Sequence, residues 1–191
     1  LTDLSRIMIA NPSVSSQKPI KLDGNAAAGR SEELAGILVD AVAGGSSVNF
    51  LWPFGLPDAR RYWDRVIARI GAGEILLLAI ESGGRLVGTV QLIPAPQPNQ
   101  DHRVDISKLL VLRSARQQGI ATVLMQAVEA EARRLGRSLL VLDTETGSAA
   151  DRLYRRLGYQ VLGIMPRHAR LPGGELADTT FFFKHLPDAS Q

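Results

Sequence analysis

A short basic segment followed by small residues indicates where this chain could bind an anion. An apolar run at residues 109–112 leads into Arg116-Gln117-Gln118-Gly119, and a helical apolar pattern begins at Ile120. The first N–H groups of a helix have no partner within the helix and carry partial positive charge. Because Gly119 and Ala121 have little or no side chain, a phosphate could approach these donors closely. On these residues alone, an ordinary turn with a solvated Arg116 remains an equal alternative.

Two carboxylates and a tyrosine further along the chain have the chemistry of a general acid–base site. Asp143 ends the apolar run of residues 139–142, where a carboxylate is costly unless it is solvated or paired. Glu145 follows closely, and Tyr154 lies in a short amphipathic segment. These side chains could accept and donate protons in a reaction. Asp143 as a capping residue and Tyr154 as a core residue are the structural alternatives.

The apolar periodicity predicts an α/β fold that would position these residues. Strands are predicted near residues 19–22, 74–80, 86–93, 103–112, 139–143, 159–165 and 178–186, and helices begin near Ser31, Pro57, Gly119 and Ser148. Residues 23–25 are predicted to be a turn. The order implies a mixed sheet with one right-handed parallel crossover. The strands ending at Leu112 and Asp143 would be parallel neighbours, and ligands bind at the carboxyl ends of such strands.

Composition excludes several classes of protein. The chain has 191 residues, a net charge of +3 and no cysteine, and no apolar run is long enough to span a bilayer. The small charge excess and scattered basic residues do not favour nucleic acid as a partner. We expect a cytoplasmic protein that has no membrane partner and is a monomer or homodimer. Residues 1–17 are predicted to be a tail and residues 18–187 a single domain. No metal-ligand motif is present.

Two further groups of residues are candidates for binding a substrate. The loop of residues 46–57 is rich in bulky side chains, and Phe50 and Trp52 could form a substrate wall or simply pack over the core. His168 and Arg170 precede the Pro172 turn, where they could reach a substrate carboxylate or be solvated.

Several motifs resemble the GNAT family of N-acetyltransferases. Residues 116–121 match the Arg/Gln-x-x-Gly-x-Gly/Ala segment of that family, and residues 143–150, Leu153-Tyr154 and Leu157-Gly158-Tyr159 resemble its second half. Residues 107–115, Leu142 to Glu145, Gly147-Ser148 and Phe183-Lys184 are similar to the tabtoxin-resistance group of the family. The resemblance extends over roughly residues 33–186 and is strongest over residues 108–159.

The resemblance implies a fold and a cofactor. The fold would be a mixed, mostly antiparallel sheet with one splayed parallel strand pair, flanked by helices. Acetyl-CoA would be the acyl donor, without a metal. The backbone of Leu110, Val111 and Leu112 would bind the pantetheine arm, and an N–H near Leu112 would face the thioester oxygen. The remaining cofactor contacts would come from Arg116, Gln117, Gln118, Gly119, Ile120, Ala121, Thr122, Ser148 and Tyr154.

The resemblance also assigns catalytic roles. Tyr154 would protonate the coenzyme A sulfur, and Asp143 would be the base or contact the substrate, with Glu145 as the second choice. Because the chain has no cysteine, an acetyl-cysteine intermediate is impossible, and we expect direct attack in a ternary complex. An acyl-serine or acyl-lysine route is the alternative. Many relatives have Asn where Gly147 stands here, so that contact with pantetheine is either absent or made by Ser148.

The expected activity is N-acetylation of a small primary amine, such as an amino-acid-like toxin or antibiotic. One alternative is acetylation of a protein N-terminus or lysine, which favours a flat, open groove. A second alternative is a module that binds acyl-CoA without catalysis, in which replacing Tyr154 would change nothing.

Overall fold

Seven strands and five α-helices follow one another along residues 18–187, the part of the chain that the computed structural model describes. In chain order they are β1 (Ile20–Leu22), α1 (Gly24–Gly29), α2 (Ser31–Ala43), α3 (Leu56–Gly71), β2 (Leu76–Ser82), β3 (Arg85–Pro94), β4 (Arg103–Val111), α4 (Ile120–Arg134), β5 (Leu139–Glu145), α5 (Ala149–Arg156), β6 (Gln160–Arg170) and β7 (Leu176–His185). The tail predicted at residues 1–17 lies outside the described residues.

The strands form one sheet in the order β1-β2-β3-β4-β5-β7-β6. Within the described residues, β4 and β5 are the one parallel pair and every other neighbouring pair is antiparallel. This topology confirms the predicted mixed, mostly antiparallel sheet.

Helix α1 was missing from the predicted order of elements. The sequence analysis expected a turn at residues 23–25, because Asp23, Gly24 and Asn25 are typical turn residues. Instead, the Asp23 side chain accepts a hydrogen bond from the Ala26 N–H at 2.8 Å and caps a short helix. The prediction of a turn was therefore wrong.

The central strands β2, β3 and β4 are covered on both faces, and their side chains alternate between two cores. Along β2, Leu76 and Leu78 pack with α4, whereas Leu77 and Ala79 pack with α2 and α3. Each face therefore has its own set of helices, and the strand ends remain available for a site.

Strands β4 and β5 separate before either of them ends. They pair only from Arg103 opposite Leu139 to Asp105 opposite Val141, yet β4 continues to Val111 and β5 to Glu145. A bulge in β4 changes its register against β3 just beyond this pairing, with Lys108 at a φ of 51°. The splayed parallel pair predicted from the family resemblance is thus confirmed.

Strand β6 is longer than the sequence predicted. The expected strand stopped at Met165 because Pro166 follows, and proline cannot donate to a sheet. Strand β6 lies at the sheet edge, where the missing N–H has little cost, and the strand continues to Arg170 past an irregularity between Met165 and Ala169. His168 and Arg170 therefore lie in the last part of β6, directly before the Pro172 turn as predicted.

Candidate active site

A cleft of about 710 Å³ opens where β4 and β5 separate. Its walls come from both strands, from the segment between α2 and α3, and from the beginnings of α4 and α5. The predicted site residues that line it are Leu110, Val111, Arg116, Gln117, Gly119, Ile120, Ala121, Thr122, Asp143, Glu145, Ser148 and Tyr154. The structure therefore brings together most of the candidates from three separate segments of the sequence.

The start of α4 presents unpaired backbone donors to this cleft. The first N–H that bonds within the helix is that of Val123, which donates to the Gly119 carbonyl at 3.1 Å. The N–H groups of Ile120, Ala121 and Thr122 precede it and have no intrahelical acceptor. Gly119 has a φ of 79°, a conformation that favours glycine, and it leaves space in front of these donors. This arrangement suits a phosphate group.

Two arginines hold the loop that leads into α4. Arg113 donates through its backbone N–H and its Nε to the Asp40 carboxylate, each at 2.8 Å. Burial alone would raise the pKa of Asp40, but these hydrogen bonds outweigh it and lower the pKa. Arg116 is exposed at the cleft, with its Nε 3.3 Å from the Val111 carbonyl oxygen. The loop is thus fixed to α2 while Arg116 remains at the mouth of the site.

The backbone groups of Leu112 are not free, contrary to the expectation from the sequence. Its N–H donates to the Val87 carbonyl at 2.9 Å, and its own carbonyl accepts from the Ala115 N–H at 2.9 Å. Opposite residues in an antiparallel ladder alternate between hydrogen-bonded and non-bonded pairs. Val111, opposite Gly88, therefore directs its N–H away from β3 and into the gap. The N–H near Leu112 that can face the gap is therefore that of Val111.

Tyr154 faces the cleft from α5 and is almost fully buried, with 5% of its surface exposed. Its ring packs against Tyr159 and Phe182, with both centroid distances at 5.8 Å. Burial raises the pKa of Tyr154, and the nearby negative charge of Asp143 raises it further. The phenol is therefore protonated at neutral pH and close to a carboxylate.

The turn before α5 is held by a buried carboxylate. Ser148 caps the helix by accepting from the Asp151 N–H at 3.1 Å, and Asp151 accepts from the Gly147 N–H at 2.9 Å and also binds Arg155. Burial alone would raise the pKa of Asp151, but the hydrogen bonds outweigh it and lower the pKa. The Ser148 hydroxyl is engaged as the N-cap of α5, so it fixes the position of this helix and hence of Tyr154.

Several predicted residues do not line the cleft. Besides Leu112, these are Gln118, Phe50, Trp52, His168 and Arg170. The Trp52 indole donates to the Val42 carbonyl at 3.1 Å, so it anchors the loop to the end of α2. His168 lies edge-on to the Phe181 ring, and Arg170 donates to the Gly174 carbonyl at 2.6 Å. The structure thus gives Trp52 and Arg170 partners that hold loops and turns.

The sequence analysis missed Lys108 as a site residue. Its side chain lines the cleft from the β4 bulge, and its Nζ lies 5.8 Å from the centre of the Phe50 ring and 5.7 Å from that of Tyr62. The available signal was a lysine directly before the apolar run of residues 109–112. Phe50 therefore lies behind the cleft, where it packs against Lys108.

Comparison with known proteins identifies the family. A sequence profile described as the acetyltransferase (GNAT) family matches residues 46–159, more than half of the chain. The chain belongs to the GNAT acetyltransferase family. It is 30% identical over 159 residues to an L-methionine sulfoximine/L-methionine sulfone acetyltransferase of Pseudomonas paraeruginosa, covering 81% of this chain and 90% of the relative. It is also 36% identical over 113 residues to human N-acetyltransferase 8B, covering 57% of this chain and 48% of that protein.

Solved structures share the fold of this GNAT protein. An N-acetyltransferase from Staphylococcus aureus Mu50 superimposes with a TM-score of 0.73 at 20% identity, covering 90% of this chain and 99% of the other. YncA of Salmonella typhimurium, solved with its cofactor acetyl-CoA, superimposes with a TM-score of 0.70 at 23% identity, covering 92% and 97%. The protein is an N-acetyltransferase, and acetyl-CoA is its acyl donor.

The residues of the cleft fit acetyl-CoA. The free N–H groups at the start of α4 and the Arg116 guanidinium suit the pyrophosphate, and the Val111 N–H at the edge of β4 suits the amide-bearing pantetheine arm. Among residues 18–187, no group of three His, Cys, Asp or Glu side chains is arranged to hold a metal ion. No helix in the described part of the chain is long and apolar enough to cross a membrane.

Proposed function

We propose that this enzyme acetylates the primary amine of a small molecule by direct attack in a ternary complex. The observation that carries the proposal is that Asp143 and Tyr154, a candidate base and a candidate acid, line one cleft at the point where the strands separate. The relative from Pseudomonas paraeruginosa is named for two amino-acid substrates of this kind. An amino-acid-like toxin or antibiotic is therefore the class of acceptor that we propose.

Each step has a residue on the wall of the cleft. Bound acetyl-CoA supplies the thioester carbonyl that is attacked and the thiolate that leaves. Asp143 accepts a proton from the ammonium of the acceptor, which makes the nitrogen nucleophilic. The Val111 N–H donates to the carbonyl oxygen as its negative charge develops. As the new C–N bond forms and the C–S bond breaks, Tyr154 gives its proton to the sulfur, and the nitrogen passes its second proton to the Tyr154 phenolate to leave a neutral amide.

Glu145 is the second candidate for the base. It lies on the same face of β5 as Asp143, since side chains two residues apart share a face, and it also lines the cleft. Asp143 is the preferred base because it is near enough to Tyr154 for its negative charge to raise the pKa of the tyrosine.

The proposal is tested by measuring thiol release from acetyl-CoA across a library of amines. The library should contain L-methionine sulfone and other amino acids, simple alkyl amines, and peptides with free N-termini or lysines. Selective turnover of small amines supports the proposal. Selective turnover of peptides would replace it with protein acetylation, and tight acetyl-CoA binding without thiol release from any amine would indicate a non-catalytic module.

A further inference from the structure

Lys108 is held in the cleft by an unusual local backbone. It occupies the β4 bulge with a φ of 51°, a conformation that a non-glycine residue seldom adopts. The ammonium lies over the faces of Phe50 and Tyr62, both within about 6 Å, and the Tyr62 hydroxyl is in turn hydrogen-bonded to Gln91. Two aromatic rings behind the cleft thus contact the ammonium of Lys108, which lines the cleft.

The ammonium of Lys108 has no carboxylate partner among residues 18–187. No described Asp or Glu oxygen lies within 4.0 Å of its Nζ, and Asp143 is likewise without an ion pair there. The two groups are near enough for Asp143 to affect the pKa of Lys108, which burial lowers and Asp143 partly restores. Most described arginines, by contrast, bind a carboxylate or a carbonyl. The cleft therefore presents Lys108 as a cation and Asp143 as an anion without an ion pair among the described residues, beside Arg116, Arg156 and Glu145, which have none there either.

We infer that Lys108 binds the carboxylate of the acceptor while Asp143 receives its amine, so that the enzyme selects zwitterionic amino acids. The inference rests on the proposed function and adds to it the residue that recognises the acceptor's carboxylate. Lys108 precedes Val111 by three residues, about 10 Å along a strand, and its long side chain can span part of that distance. An α-amino acid carries its ammonium and carboxylate on one carbon, and it would pair with both charged groups while its amine faces the thioester.

The test compares two acceptors that differ only in this charge. L-methionine sulfone and its carboxamide are assayed by thiol release, together with other L-amino acids and their carboxamides, using wild-type enzyme, Lys108→Met and Lys108→Arg. Methionine preserves the length and much of the packing of lysine against the aromatic rings but removes the charge. Because each variant is measured on both acceptors, the different pKa values of the two amines cancel in the comparison.

We expect Lys108→Met to raise KM for the amino acid by ~10–100-fold, the worth of a charged hydrogen bond, with a much smaller change in kcat. The KM for the carboxamide should change little in Lys108→Met. Lys108→Arg should recover part of the affinity for the amino acid. Equal losses on both acceptors would refute the inference. If Lys108→Met lowered kcat equally for both acceptors and shifted the pH profile, Lys108 would be identified as a base. If equal losses accompanied a lower Tm, they would indicate a packing role.

Failure of this inference is distinguishable from failure of the proposed function. If the wild-type enzyme acetylates carboxamides or plain amines but no amino acid, the carboxylate subsite is refuted and the small-molecule acetyltransferase remains. If no amine in the panel releases thiol, the proposed function itself fails.

Discussion

Replacing Tyr154 by phenylalanine removes one hydroxyl from the proposed site and little else. No described residue hydrogen-bonds the Tyr154 hydroxyl, and the ring contacts with Tyr159 and Phe182 would be retained. The loss of a positioned general acid costs ~10²–10⁴-fold in rate, which corresponds to about 2.7–5.4 kcal/mol of activation free energy. We expect kcat to fall by that factor, with the acetyl-CoA Kd and the Tm nearly unchanged.

Tyr159→Phe is the matched control. Tyr159 is also buried, lies 5.8 Å from Tyr154 between ring centroids, and does not line the cleft. Its hydroxyl is buried without a hydrogen-bond partner in the described part of the chain. Removing an unsatisfied polar group relieves a desolvation cost of about 1–3 kcal/mol, so this variant should be fully active and as stable as the wild type or more so.

The assay is thiol release at saturating acetyl-CoA over a range of pH, with calorimetry for the cofactor Kd. Because burial and Asp143 both raise the pKa of Tyr154, the acid remains protonated above its ordinary value of ~10. The wild-type kcat should therefore not decline between about pH 8 and 10 through loss of this proton. Parallel losses of kcat, cofactor affinity and Tm in Tyr154→Phe, or a similar rate loss in Tyr159→Phe, would show that the tyrosine acts through packing.

Three further substitutions test the remaining parts of the site. Gly119→Glu should abolish acetyl-CoA binding, whereas Gly119→Ala, which shares the strain of a positive φ, should weaken it modestly; calorimetry on both separates charge from strain. Asp143→Asn should lower kcat at neutral pH, and its kcat should recover at alkaline pH, where the amine loses its proton without a base. Glu145→Gln should change kcat little. A large loss of kcat in Glu145→Gln and a small one in Asp143→Asn would make Glu145 the base. Asp151→Asn should lower Tm at pH 7. Because the pKa of Asp151 is lowered in the folded protein, the carboxylate stabilises the fold above its unfolded pKa of ~3.9, and this stabilisation disappears as the pH falls through the folded pKa. The Tm difference between Asp151→Asn and the wild type should therefore shrink in acid. A difference that stays constant with pH would contradict this role.

Local sequence signals were sufficient to predict the elements that build the phosphate site. Gly119 precedes an apolar helical pattern, and the structure begins α4 at Ile120. The paired glycines Gly83 and Gly84, both with positive φ, indicated the β2–β3 hairpin. The parallel crossover followed from the order of strands and helices.

Other features depend on contacts between distant parts of the chain, and local patterns do not contain them. The engagement of Leu112 with Val87 depends on the register of β4 against β3, which the β4 bulge sets. Trp52 belongs to the loop between α2 and α3, and its indole N–H donates to a carbonyl of α2. Lys108 looked like one polar residue in a strand, and its importance appears only when the bulge places it between two aromatic rings and the cleft.

A crystal structure of the complex with coenzyme A tests the central claim most directly. We predict that the pyrophosphate accepts hydrogen bonds from the N–H groups of residues 119–122 and that the pantetheine arm pairs with Val111 in the gap between β4 and β5. A coenzyme bound elsewhere, or strands that pair beyond Asp105 and Val141 and close the gap, would contradict the account.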